Sequence, residues 1–212
     1  MKRFFRFGLT GTFCVVALMV AAFVNVNASV KTDVQRPVKQ FFKYAKTADE
    51  DKMSRYVYED LKDETVDDAD TKSQKKELFG IIKAENKKKF SYKITKTTIA
   101  KDKKSATVKV KVTYRSLYKA GYQGMNKVFS RMISYIETYS KEPSDSKVGA
   151  WLVKELKAAA KKYPAKVQTK TLSVKVKKYK SGWKIVKVTD PMMNAYSCDI
   201  IKGMEKSIDS FD

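Results

Sequence analysis

Apolar residues first recur at helical spacing at Val34, Val38, Phe41, Phe42 and Ala45, which predicts an amphipathic helix with one buried face. Pro37 is tolerable there only near the first turn, because it lacks an N–H and crowds the preceding carbonyl; the pattern fixes the helix start to within about one turn. Thr47 with Glu50 three residues on reads as a capping box. Asp49, Glu50 and Asp51 suit the positive end of a second helix carrying Met53, Tyr56, Val57 and Leu61. Thr71 and Gln74 repeat the capping pattern ahead of a third helix, with Leu78, Ile81, Ile82 and Phe79 on its apolar face.

At Phe90 the period changes to two. Phe90, Tyr92 and Ile94 alternate with polar residues, and beyond a turn at Lys101–Lys104 so do Ala106, Val108, Val110, Val112 and Tyr114. This predicts a β-hairpin whose other face, Thr107, Lys109, Lys111, Thr113 and Arg115, is cationic and solvated. Two helices follow. Met125, Val128, Phe129, Met132, Ile136 and Tyr139 form the stripe of one, and Val148, Leu152, Leu156, Ala159 and Tyr163 that of the next, parted by Pro143-Ser144-Asp145-Ser146.

Two further strands are predicted over Lys166–Tyr179 and Gly182–Val188. Val167 and Thr169 are out of phase with Leu172, Val174 and Val176, as are Trp183 and Ile185 with Val186 and Val188. Such shifts predict bulges in a strongly curved sheet. Asp190 as N-cap with Pro191 at the first helical position opens one closing helix, with Met193, Tyr196, Ile200, Ile201, Met204 and Ile208 inward. The order predicts an α+β fold: a curved antiparallel sheet of about four strands wrapped around the N-terminal helices, with a two-helix insertion and a C-terminal helix.

The N-terminus changes the picture of where the domain works. Lys2, Arg3 and Arg6 precede an apolar run from about Leu9 to Val24, and Val26-Asn27-Ala28 fits the small-residue rule for signal-peptide cleavage after Ala28. Residues 1–28 are expected to be a secretory signal and 29–212 a single domain. An uncleaved anchor is the alternative, although the run is short of the roughly 20 residues that span a bilayer. Cys14 follows Thr12 and Phe13, which does not suit lipid attachment. Beyond the leader only Cys198 remains; it cannot close an intrachain disulfide and reads as a small buried hydrophobe on the closing helix rather than as a reactive thiol.

The 212 residues include 45 Lys or Arg, 23 Asp or Glu and no His, for a formal charge of +22. The leader accounts for only three of those charges. Without imidazole, Ser-His-Asp and Cys-His hydrolases, HExxH proteases and the usual zinc catalytic sites are excluded.

The segments Phe41-Phe42-Lys43-Tyr44-Ala45 and Ser181-Gly182-Trp183-Lys184-Ile185, Met193-Asn194-Ala195, the Lys-rich hairpin and the insert after Tyr114 together resemble secreted bacterial proteins of nuclear transport factor two-like (cystatin-like) cone fold, often domains of unknown function. The resemblance covers most of residues 30–208. It implies a cone whose mouth holds a ligand or is plugged by side chains, and it carries over no catalytic residue. Many relatives are lipoproteins; this chain departs from them in lacking the lipid-attachment cysteine.

Three features bear on chemistry. The acidic run Glu59, Asp60, Asp63, Glu64, Asp67, Asp68 and Asp70 invites calcium, but placing Asp68 and Asp70 at loop positions one and three puts Lys72 at five, Ser73 where Gly is needed and Phe79 in place of the bidentate Glu. It reads as a solvated loop, and no metal or cofactor is expected. The cone interior offers Tyr44, Tyr92, Tyr114 and Asp199 as a candidate pocket, where ketosteroid-isomerase-like relatives place an acid/base pair; core tyrosines with bonded hydroxyls are the plainer reading. Finally, Lys109, Lys111, Lys175, Lys177 and Lys184, with Lys178 and Lys187, form stripes that concentrate positive charge on one face. A soluble charged face is the plainer alternative, yet the net charge far exceeds the magnitude of about 2–8 that solubility asks of a small domain.

The expected function is therefore a secreted, non-enzymatic binding protein of the bacterial cell envelope, its basic face contacting anionic wall polymers or lipid head groups. The alternatives are a carrier of a small apolar ligand in the cone and a His-free acid/base enzyme. Nucleic acid is not an expected partner, because the aromatics fall on apolar faces.

Overall fold

Val34, Val38, Phe41, Phe42 and Ala45 are all fully buried along the first helix, α1 (residues 29–45), of a computed structural model that describes residues 29–59 and 69–210. The secretory segment 1–28 with its cleavage at Ala28, and Asp60, Leu61, Asp63, Glu64, Asp67 and Asp68, lie outside the described residues. Pro37 sits mid-way along α1 and not in its first turn. The helix continues through it, lacking the one amide bond that proline cannot donate.

The second helix is shorter than its pattern suggests and starts elsewhere. α2 spans Glu50–Ser54, and its N-cap is Asp49, whose carboxylate accepts the Lys52 amide at 3.2 Å. The Thr47 hydroxyl instead donates backward to the Tyr44 carbonyl. Val57 leaves the helix and bridges Ile185 in parallel. In α3 (Ala69–Lys88), Thr71 is already helical, and Gln74 donates to the Ser146 carbonyl at 2.9 Å rather than closing a capping box. Ile82 is its fully buried anchor.

β1 (Ser91–Ile99), β2 (Ser105–Ser116), β3 (Lys166–Tyr179) and β4 (Gly182–Ile185) form one open antiparallel sheet in chain order. The first turn closes with the Lys104 amide on the Asp102 carboxylate at 2.9 Å and Lys103 at φ 52°. β2 is the spine, with Val108, Val110, Val112 and Tyr114 fully buried. Its register with β3 is unbroken from Ser105↔Lys177 to Ser116↔Lys166. The bulge expected in β3 is therefore absent. Val167 is 56 % exposed on the outer face, and the inner face continues as Gln168 and Lys170 in phase with Leu172. The register shift falls instead in β1, between Ile94 and Lys96. β4 ends at Ile185, so Val186 and Val188 lie beyond the strand and no parity change within it is needed.

The insertion consists of α4 (Tyr118–Tyr139) and α5 (Asp145–Lys162). The packed face of α4 is Ala120, Gly121, Gly124 and Val128; the far end of its expected stripe projects outward, with Ile136 42 % and Tyr139 58 % exposed. Leu156 is the fully buried centre of α5. The closing helix is two helices, α6 (Asp190–Tyr196) and α7 (Ile200–Ile208). Thr189 is the N-cap of α6, and Asp190 and Pro191 lie inside its first turn. The break falls at Cys198 and Asp199, both left-handed at φ 57° and 56°, so Cys198 sits in a turn and not on a helix. Where α7 crosses α4, a Cβ on Gly203 would stand 2.2 Å from the Tyr118 carbonyl oxygen, and one on Gly121 equally close to that of Ile200; only glycine permits this contact. Among the described residues no helix is long and apolar enough to cross a membrane.

Candidate functional site

A strand sends alternate side chains to opposite faces, and β3 thereby sends lysines to two different environments. Lys175 and Lys177 point outward into solvent, while Lys170 points inward, on the parity of Leu172, Val174 and Val176, which are core. The inward lysine is where the interior chemistry gathers.

Lys170 Nζ donates to Asp199 Oδ1 at 3.2 Å and lies 5.6 Å from the Tyr114 ring centre. The Tyr114 hydroxyl shares its proton between Asp199 Oδ1 and Oδ2 at 3.0 and 2.9 Å. Tyr114 is fully buried and Asp199 is 2 % exposed, whereas the Lys170 side chain is 34 % exposed. The left-handed turn between α6 and α7 aims the carboxylate at the end of β2. Burial, and then the adjacent Asp199 carboxylate, raise the Tyr114 phenol well above its ordinary range. It therefore stays protonated and acts as a donor.

A second polar cluster fixes the same turn. Asn86, fully buried on α3, donates to the Ala45 and Tyr196 carbonyls at 3.0 Å each and accepts from Cys198 Sγ at 3.1 Å. Burial first, then the carboxylates of Glu85 and Asp199, push the Cys198 thiol up to about 12, which makes it an inert donor at neutral pH. Burial pushes the Glu85 carboxyl up, but hydrogen bonds from Lys88 and Arg115 outweigh it and hold the carboxyl below its ordinary value. Three elements distant in sequence, α3, β2 and the α6–α7 turn, are tied together by these groups.

The four residues expected to share a pocket do not converge. Tyr114 and Asp199 meet, but the Tyr92 hydroxyl donates to the Lys39 carbonyl at 2.9 Å while its ring packs on Phe42, and Tyr44 stacks on Tyr56 with centroids 6.0 Å apart. The described residues form several surface clefts, three of which stand out. One of about 580 Å³ lies between Asp49–Asp51 and Lys75, Lys76 and Lys83; a second of about 410 Å³ lies at the β3–β4 turn; a third of about 600 Å³ lies along α4 and α5 around Tyr135 and Trp151. None of the three is lined by Tyr44, Tyr92, Tyr114 or Asp199. Lys170, the third member of the interior cluster, carries a legible signal, its phase with Leu172, Val174 and Val176, which the assumption of a bulge conceals.

The outer face gathers Lys109, Lys111, Lys175, Lys177 and Lys184 and adds two more, Lys93 and Lys96. Lys178, opposite Trp183, has the inward parity of Lys170, and Lys187 lies beyond the end of β4, so neither joins the row. Lys93 stands opposite Lys111, Lys96 opposite Lys109, and Lys177 opposite Lys184, with Lys175 beside Lys177 on the same face. Lys93, Lys96, Lys109, Lys111, Lys175 and Lys177 are exposed and Lys184 half-buried. None of the four strands contains an Asp or Glu, and among the described residues none of these seven lysines has an acidic partner. Such a row repels itself and attracts polyanions. No family model, curated protein or solved structure matches the chain.

Proposed function

We propose that this is a secreted, non-enzymatic binding protein of the bacterial cell envelope, held to anionic wall polymers or lipid head groups by the outer face of its sheet. The observation that carries the reading is the paired row Lys93–Lys111, Lys96–Lys109 and Lys177–Lys184 on strands without any acidic residue. Like charges directly opposite one another oppose folding, so a face made of them is better accounted for by a partner of opposite charge than by the stability of the domain. Lysine suits the task because its ammonium acts as a mobile point charge that follows an irregular polymer. The nuclear transport factor two-like cone is retained as part of this proposal, supported by an antiparallel sheet that packs its apolar face on the first helix.

The interior supports a structural role better than a carrier or an enzyme, since Tyr114 and Asp199 satisfy each other and are sealed from solvent. The test of the reading is sedimentation of residues 29–212 with purified bacterial cell walls across about 0.05–1 M salt, over which the screening length falls to ~3 Å. Binding at low salt that is lost at high salt, and weakened by Lys109→Glu with Lys111→Glu and by Lys175→Glu with Lys177→Glu, is the expected result. Absence of binding at low salt overturns it.

A further inference from the structure

At the margin of the lysine face, the cleft of about 410 Å³ is lined by Arg36 of α1, Arg55 just after α2, Lys178 of β3 and Lys184 of β4, with Trp183 and, as its one acid among the described residues, Asp33. Lys184 belongs both to this cleft and to the outer row. Asp33 neutralises little, because its contact with Arg36 is 3.5 Å long and both side chains are largely exposed. Cations from four separate elements thus surround one concavity. The segment that brings Arg55 there is held by the backbone, through the Ile185 amide on the Tyr56 carbonyl and the Tyr58 amide on the Ile185 carbonyl.

From this placement we infer that the cleft is a discrete phosphate-binding subsite, taking one phosphate or phosphodiester group of an anionic envelope polymer or lipid. Two guanidinium forks supply planar pairs of donors, and two ammonium groups add charge from the opposite strands. Donors arriving from several directions fit a tetrahedral anion with an oxygen facing each one; a flat carboxylate with two oxygens leaves part of the set unused. The flat lysine row beside the cleft attracts a polymer without fixing its register, whereas a concave cationic site fixes one repeat. The choice of ligand rests on the polyanion reading of the outer face.

The test is a titration of the Trp151→Phe protein, in which Trp183 is the one tryptophan left, with inorganic pyrophosphate at fixed ionic strength, read by tryptophan fluorescence. A saturable one-site curve is expected, with sulfate competing and citrate competing poorly. Arg36→Gln and Arg55→Gln each weaken it by about 10-fold or more, the loss of one charge-assisted bidentate contact. Arg55→Lys, which keeps the charge and removes the fork, falls between, and Lys109→Glu with Lys111→Glu changes it less than ~2-fold at about 0.15 M salt, where charges more than ~8 Å away are largely screened. Separate titrations with poly(glycerol phosphate) and with phosphatidylglycerol vesicles distinguish wall from lipid as the source of the phosphate. A titration that does not saturate, citrate binding as well as pyrophosphate, or equal weakening by the outer-face variant overturns the subsite. Wall sedimentation that persists without saturable pyrophosphate binding overturns the subsite alone, and saturable binding without sedimentation overturns the outer-face reading alone.

Discussion

The two faces of the sheet treat the same residue in opposite ways. On β3, Lys170 turns inward and closes a buried cluster with Tyr114 and Asp199, while Lys175 and Lys177, odd against its even, stand in solvent with no acidic partner among the described residues. A strand has a period of two, so the position of a lysine within it decides whether the lysine organises the interior or advertises charge. The contrast teaches that a lysine count alone is a poor guide to function: one inward lysine is held by geometry, and the outward ones are held by nothing the fold requires.

The sharpest way to break the contrast is to remove the interior acceptor. Asp199→Ala leaves the Tyr114 hydroxyl buried without a partner and strips Lys170 of its carboxylate, at a residue whose φ of 56° an alanine tolerates poorly. We expect a loss of about 3–4 kcal/mol in urea unfolding. Asp199→Asn, which keeps an acceptor and suits the left-handed turn, loses about half of that. If Asp199→Ala unfolds at the same urea concentration as the parent, the interior cluster does not hold the α6–α7 corner.

Gly203→Ala tests the same corner from its outer side. Its Cβ would meet the Tyr118 carbonyl oxygen, a backbone atom that cannot swing away, so α7 must lift from α4. About 2 kcal/mol is expected, because overpacking outweighs the gain in helix propensity. A Gly80→Ala control, where the added Cβ meets nothing within 4 Å, should be neutral or slightly stabilising.

How much of this was legible follows from what each pattern encodes. Burial of the apolar faces of α1 and β2 could be read from the periods at Val34–Ala45 and Ala106–Tyr114, because the inward positions there are all buried, and only Tyr114 also meets polar groups, Asp199 and Lys170. The register of β3 was misread because Val167 looks apolar: the rule that apolar residues point inward fails at a strand end where the inner place is taken by Lys170. The break in the closing helix carries no local signal, since Cys198 and Asp199 are neither glycine nor proline. Tertiary bonds from Asn86 and Tyr114 impose it. Tyr44 and Tyr92 could not be separated from Tyr114 by sequence, because a tyrosine on an apolar face reads alike whether its hydroxyl finds a carboxylate or a nearby carbonyl.

Alkaline pH sharpens the interior side further. The Cys198 thiol keeps its proton in the folded chain to about 12, against an ordinary value of 9.0. Between those values the folded state binds more protons than the unfolded one, so stability falls as pH rises through the window, by up to about 1.4 kcal/mol per unit. Tyr114, also raised, adds to the fall above about pH 10. Urea unfolding of Cys198→Ala from pH 8.5 to 10 should therefore show a shallower decline than the parent, by roughly 1 kcal/mol at pH 10. Parallel curves for the two proteins would mean that the thiol is as free to ionise when folded as when unfolded.

The outer face should yield the smallest effect on stability and the clearest one on binding. Lys111 stands opposite Lys93 in the ladder, and both are exposed, so Lys111→Glu replaces a repulsive cross-strand pair with an attractive one. A change within about 0.5 kcal/mol, stabilising at low salt and fading as salt rises, is expected from urea unfolding. The same substitution removes two units of positive charge from the row, so it should weaken wall binding at low salt while the fold grows no weaker. A residue whose replacement helps folding and harms binding is held in place by the partner. Destabilisation by more than about 1 kcal/mol would instead tie Lys111 to the fold, and the contrast between the two faces of β3 would collapse.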